Sequence, residues 1–220
     1  MMIQCRGLVK EFGVPPHRVL HALDIDIQNG EFVSISGKSG SGKSTLLYII
    51  STLDLPSMGT VEIDGKNIAK MTSDEVHAFR NHKVGFIFQF HYLLPELTAI
   101  ENILLPARNL NCMDEKMSTA KELLERLGVS NKENSYPAQM SGGEQQRIAI
   151  ARALILSPKY IFADEPTGNL DTENAEIVMN LLKQVNATGT TVCLVTHDPD
   201  FAAMASREIY LKDGRLASAK

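Results

Sequence analysis

At 220 residues, with 44% hydrophobic and 22% charged side chains, the chain has enough apolar material for a full domain core, which excludes intrinsic disorder. Its 22 Lys and Arg against 26 Asp and Glu leave a net charge of −4, a balance that argues against a broad nucleic-acid footprint. The three cysteines, Cys5, Cys112 and Cys193, are odd in number, far apart and without Cys-x-x-Cys spacing, so the chain reads as a cytosolic one with neither a disulfide framework nor a zinc site.

The opening Met1-Met2-Ile3-Gln4-Cys5-Arg6 lacks the charged and apolar blocks of a secretion signal. The longest apolar stretches, 46–50 and 148–156, are too short to span a bilayer, and Arg152 interrupts the second. Any work at a membrane is therefore expected from its side.

In chain order, residues 23–27 alternate apolar and acidic side chains as a strand, 28–31 turn, and 32–36 resume as strand. Asp24 and Asp26 read as the outer face of an amphipathic strand, not as metal ligands. The second strand runs into Gly37-Lys38-Ser39-Gly40-Ser41-Gly42-Lys43-Ser44-Thr45, followed by a helix to residue 50. This is a P-loop in its required strand, loop, helix context. Its glycines let successive backbone N–H groups approach a polyphosphate, and the helix N-terminus adds partial positive charge. Lys43 is expected on the β- and γ-phosphates and the Ser44 hydroxyl on Mg²⁺.

Turns at 56–59 and Asp64-Gly65 flank a short strand, 60–63, which predicts a small antiparallel sheet. Residues 84–88 read as a core strand followed at once by Gln89, and the alternating Phe86, Phe88, Phe90 and Tyr92 predict packing on one sheet face. Thr98 with Glu101 forms a capping box, 114–127 an amphipathic helix stopped by Gly128, and the helical insertion runs to about Met140. A second capping box, Ser141 with Glu144, opens a helix to Leu156 that Ser157-Pro158 breaks.

The strand 160–163 then delivers Asp164 and Glu165, a helix spans 171–186, and the strand 191–195 leads to His197 and a short helix started by Asp198-Pro199. Strands alternating with helices predict a mostly parallel sheet covered on both faces, whose strand ends converge on the ligand crevice. There Asp164 would hold Mg²⁺ through water and Glu165 would polarise the attacking water. His197, at a neighbouring strand end, would position the γ-phosphate and Glu165, and Gln89 would reach Mg²⁺ and the attacking water. Phe12, placed shortly before the first strands, is a candidate to stack on adenine.

The P-loop, Ser141-Gly142-Gly143-Glu144-Gln145 and Tyr160-Ile161-Phe162-Ala163-Asp164-Glu165, in that order, resemble the nucleotide-binding subunits of ABC transporters over nearly the whole chain. The resemblance implies an α/β P-loop NTPase with a small antiparallel subdomain and a helical insertion, in one domain, 1–220. A RecA-like core would span 1–90 and 158–220, and a helical subdomain about 91–157. It also implies ATP and Mg²⁺ as cofactors, and a head-to-tail, ATP-bound homodimer in which Ser141, Gly142, Gly143 and Glu144 complete the partner's site. Gly168-Asn169-Leu170-Asp171 resembles the loop that crosses between subunits. Met140 and Phe12 depart from the commoner leucine and tyrosine.

The form Asp164-Glu165-Pro166-Thr167-Gly168-Asn169-Leu170-Asp171 is similar to the subgroup of lipoprotein release, macrolide export and cell division. Residues 85–102, with Phe90 and His91 after Gln89, look most like the lipoprotein-releasing ATPases. That resemblance implies integral membrane permease subunits of the LolC and LolE kind, with the chain peripheral on the cytoplasmic face of the inner membrane. Rival readings are a cell-division or macrolide-export cassette, a soluble ABC ATPase of DNA repair or translation, and a P-loop phosphotransferase. The soluble ATPases usually need long coiled-coil insertions or tandem cassettes, and the signature disfavours the phosphotransferase.

Overall fold

A computed structural model describes residues 2–217. Two sheets organise it. The first is antiparallel, in the order β2-β1-β4-β5, from β1 (Met2–Phe12), β2 (His17–Gln28), β4 (Met58–Ile63) and β5 (Lys66–Asn67). The second, in the order β10-β9-β3-β8-β7-β6, joins β3 (Phe32–Gly37), β6 (Val84–Ile87), β7 (Tyr160–Asp164), β8 (Thr191–Val195), β9 (Arg207–Lys212) and β10 (Arg215–Ala217). Every pairing in it is parallel except β9 with β10.

Strand alternation divides the core in two. Tyr160, Phe162, Cys193 and Val195 face α1 (Lys43–Ile50) and the antiparallel sheet, together with Ile3, Leu20, Leu47 and Val61. Ile161, Ala163, Val192 and Leu194 face the opposite way, into a cluster with α3 (Ala99–Asn109), α4 (Met113–Arg126), α5 (Gly142–Leu154) and α6 (Thr172–Ala187). The central strands β7 and β8 are buried along their whole length, as a parallel sheet covered on both faces demands. The helices beginning at Thr98 and Ser141 carry complete capping boxes, and Gly128 takes a φ of +65° just past α4. A short α7 (Pro199–Ala202) is capped by Asp198.

The antiparallel sheet, the parallel sheet and the helix positions agree with the sequence reading, while β1, α2 and the strands β9 and β10 were not foreseen. β1 lies where only Phe12 had been singled out, because register shifts beside Gly7 (φ +56°) break the alternation that would announce a strand. Helix α2 (Ser73–Lys83) buries no residue, so it lacks an apolar stripe; its one signal was the Thr72/Glu75 capping box. The β9–β10 hairpin turns on Asp213-Gly214, both at positive φ, the backbone of a two-residue type I′ turn. One expectation is corrected. β6 ends at Ile87, so Phe90 and Tyr92 do not pack on a sheet face but stand 64% and 63% exposed, edge-on to each other.

Candidate active site

Four strands of the large sheet end side by side, and each hands its next residues to one cleft. β3 leads into the P-loop, β6 into Gln89, β7 into Glu165 and β8 into His197. The cleft measures about 590 Å³ and is lined by Val19, Ser39, Gly40, Gly42, Lys43, Ser44, Thr45, Gln89, Glu165, Gly168 and His197. It is the crevice beyond the carboxyl ends of parallel strands, where such sheets bind ligands.

The P-loop is shaped by what it cannot contain. A Cβ on Gly37 would lie 2.1 Å from the Leu211 carbonyl oxygen, and one on Gly42 would lie 2.7 Å from a Leu20 methyl, so both positions require glycine. Gly42, at φ +95°, is the N-cap of α1 and supplies no side-chain cap, leaving the first-turn N–H groups free for an anion. Lys43 is 9% exposed and donates to the carbonyls of Gly37 (3.0 Å) and Lys38 (3.1 Å), which arches its side chain over the loop.

Asp164 is 3% exposed at the end of β7 and accepts a hydrogen bond from Ser44 Oγ at 2.9 Å. Burial, reinforced by the neighbouring Asp164 carboxylate, pushes the Tyr48 phenol up to about 12, so Tyr48 stays a neutral donor beside that carboxylate. Ser44, Asp164 and the Gln89 amide offer hard oxygen donors, the chemistry that suits Mg²⁺. Among the described residues no cluster of three or more His, Cys, Asp and Glu could hold a metal, so any cation would rely on these donors and on phosphate.

Glu165 has a φ of +48°, a strained conformation for a residue with a Cβ. It is fixed by hydrogen bonds from its N–H to the Val195 carbonyl (3.0 Å) and from the Gly168 N–H to its own carbonyl (3.2 Å). His197 Nδ1 lies 2.8 Å from Glu165 Oε2, so the imidazole orients the carboxylate toward the cleft.

Two expected groups lie apart from the cleft lining. Phe12 ends β1, 46% exposed, with the Lys10 ammonium 4.9 Å from its ring centroid. The Ser141 segment opens α5, where Ser141 Oγ caps the Glu144 N–H and Glu144 Oε2 accepts from the Ser141 N–H at 2.8 Å. That backbone hydrogen bond holds the Glu144 carboxyl below the ordinary range, and Lys132 lies 3.2 Å from its other oxygen. The carboxylate is therefore committed to its own chain. A Cβ on Gly143 would meet Leu170 at 3.2 Å, which places the segment beside the loop after β7. Asp24 and Asp26 bind the Gly7 N–H and Arg6, the strand-face role expected of them. Gly168, expected only in the loop that crosses between subunits, also lines the cleft, and Val19 does so without having been foreseen; it lies in the first half of β2, which showed no alternation strong enough to read.

The ABC transporter family model matches residues 20–168. The chain belongs to the ABC transporter family. It is 54% identical over 219 residues to the lipoprotein-releasing system ATP-binding protein LolD of Leptospira interrogans, covering 99% of this chain and 92% of that one. It is 46% identical to LolD of Aquifex aeolicus, over 91% of this chain and 90% of the relative. The macrolide export ATP-binding/permease protein MacB 1/2 of Paracoccus denitrificans is 45% identical, but the chain spans only 33% of it. Among solved structures, a dimeric bacterial ABC transporter cassette superposes with a TM-score of 0.93 at 42% identity, covering 99% of this chain and 97% of that one. A post-hydrolysis dimer bound to ADP and Pi gives the same TM-score at 41% identity, covering 100% and 98%.

Proposed function

We propose that this chain is the ATP-hydrolysing subunit of an ABC transporter that releases lipoproteins from the cytoplasmic membrane. The observation that carries the ATPase reading is the cleft itself, where the P-loop, Gln89 and the hydrogen-bonded Glu165–His197 pair line one wall-to-wall site. The similarity to LolD supports the lipoprotein reading. Similarity to MacB makes macrolide export the second reading, and a cell-division cassette remains a third.

In the proposed site the backbone N–H groups of residues 37–45 and the Lys43 ammonium bind the β- and γ-phosphates. Ser44, Gln89 and Asp164, the last through water, would hold Mg²⁺, which when bound would supply positive charge to offset that of the phosphate oxygens. Glu165 accepts the proton of the attacking water, and His197 keeps its carboxylate aimed there and contacts the γ-phosphate. Phe12 stacks on adenine. Ser141, Gly142 and Gly143 of a second copy close over the nucleotide, with Glu144 fixing the helix start that presents them. ATP thus joins two copies, and hydrolysis lets them part. The helical subdomain, about 91–157, moves against the core of 1–90 and 158–220, and passes closure to permease subunits of the LolC and LolE kind. The chain works as a peripheral subunit on the cytoplasmic face of the inner membrane, with no nucleic-acid partner.

Glu165→Gln is expected to keep ATP binding and lose at least about a hundredfold in turnover, the scale of a removed general base. Near-normal hydrolysis would refute the assignment. The same variant, with ATP, purified from detergent-solubilised native membranes, should carry polytopic subunits with large extracytoplasmic domains and a lipoprotein. Recovery of a division protein would favour the third reading.

A further inference from the structure

The loop that carries Gln89 is held in an unusual way. Among the described residues, no backbone-to-backbone hydrogen bond involves residues 89–92, and Tyr92 sits at a φ of +45°. Side chains hold the carbonyls instead. Gln146 Nε2 donates to Phe88 O at 3.3 Å, Arg152 Nη2 to His91 O at 2.8 Å, Arg152 Nη1 to Tyr92 O at 2.7 Å, and Asn169 Nδ2 to Gln89 O at 3.2 Å. Gln146 and Arg152 both belong to α5, the helix whose N-cap is Ser141. The His91 ring rests on the start of the same helix, its Cε1 4.0 Å from where a Cβ on Gly142 would lie.

The plainest role for a buried glutamine and a half-buried arginine is packing, yet neither suits it. Gln146 is 1% exposed and its Oε1 has no partner, so an apolar side chain of equal volume would fill the place at lower cost. Arg152 has no carboxylate within ion-pair distance among the described residues, and burial lowers its pKa from the ordinary guanidinium value. What its planar fork does achieve is to span two successive carbonyls, which a lysine ammonium cannot do with the same geometry.

We propose that Gln146 and Arg152 are positioning residues that yoke the loop behind Gln89 to the helix presenting Ser141, Gly142 and Gly143, so that the two move as one body. The proposal rests on the ATPase reading, since it needs Gln89 to meet the nucleotide. Contact at Gln89 in one site then sets the orientation of the segment offered to the second copy's site. Each chain thereby reports its own nucleotide to its partner.

The test uses the Glu165→Gln protein as parent. Gln146→Met keeps the volume while removing the bond to Phe88 O and the orphaned oxygen; Arg152→Lys keeps the charge and loses the fork. Nucleotide affinity is read with a fluorescent ATP analogue on dilute protein, dimerisation by sedimentation with ATP, and the fold by thermal melting. Gln146→Met is expected to melt no lower than the parent and to bind nucleotide within about twofold, but to need at least about fivefold more protein to dimerise, the lower end of ordinary coupling between sites. Arg152→Lys should shift dimerisation the same way. The yoke is overturned if both variants dimerise like the parent, or if dimerisation falls only in step with melting temperature and nucleotide affinity. A parent that fails to bind ATP would refute the proposed function itself, an outcome distinct from a normal parent with unaffected variants.

Discussion

The carboxyl edge of the large sheet and the start of α5 carry the two halves of the proposed chemistry, and they are built in opposite ways. At the sheet edge Asp164 and Lys43 are buried, the P-loop glycines are wedged against Leu20 and Leu211, and Glu165 is held in a strained backbone by its neighbours. That half is preorganised by the hydrophobic core beneath it. At the start of α5, Ser141 and Gly142 are exposed, and the adjoining loop leaves Phe90 and Tyr92 open to solvent, held through side chains alone. On the proposed function, a second copy would cover this surface. The contrast is then between a rigid half-site and a presented half-site, which two copies of the chain would bring together.

Substitutions should separate the two regions by size of effect. Leu194→Ala, in the fully buried β8, is expected to lower stability by about 3 kcal/mol, measured by denaturant unfolding. Ser141→Ala removes the cap of α5 and should cost only about 1 kcal/mol, while weakening ATP-driven association far more than that loss would suggest.

The joint between the sheets gives a smaller, pH-dependent effect. Burial alone would raise the Asp64 pKa, but hydrogen bonds from Lys159 and Tyr160 outweigh it and hold the carboxyl below its ordinary value. Because the folded value is the lower one, the stabilisation is complete above the ordinary aspartate pKa of about 3.9 and is lost as pH falls through the folded value. Melting temperature should therefore drop less steeply with acid in Asp64→Asn. Smallest of all, Phe90→Ala should change stability by no more than about 0.5 kcal/mol and leave turnover of the isolated protein unchanged.

What could be read in the sequence was what local chemistry writes there. Gly37, Gly40, Gly42 and Lys43 announce a phosphate loop because the conformation admits few alternatives, and Thr98 with Glu101 marks a helix start by reciprocal hydrogen bonds. The convergence of Gln89, Glu165 and His197 followed from the rule that parallel strands end together. β1 was missed because its bulges scramble the period, and α2 because its only half-buried apolar side chains, Val76 and Phe79, are too few to set a period. The same Thr-x-x-Glu pattern accepted at Thr98 was present at Thr72 and could have found it. The hold of Gln146 and Arg152 on the loop had no local signature at all, since it joins side chains to carbonyls some sixty positions away.

The most direct measurement is sedimentation of the Glu165→Gln protein with saturating ATP, beside the same protein carrying Gly142→Asp. Nothing lies nearer than 4.0 Å to a Cβ on Gly142, so that substitution should fold, and its carboxylate would face a phosphate presented by a second chain. The account predicts a dimer for the parent and a monomer for the variant, each chain of which still binds ATP. A parent that binds ATP yet stays monomeric, or a variant that dimerises as well as the parent, would contradict it.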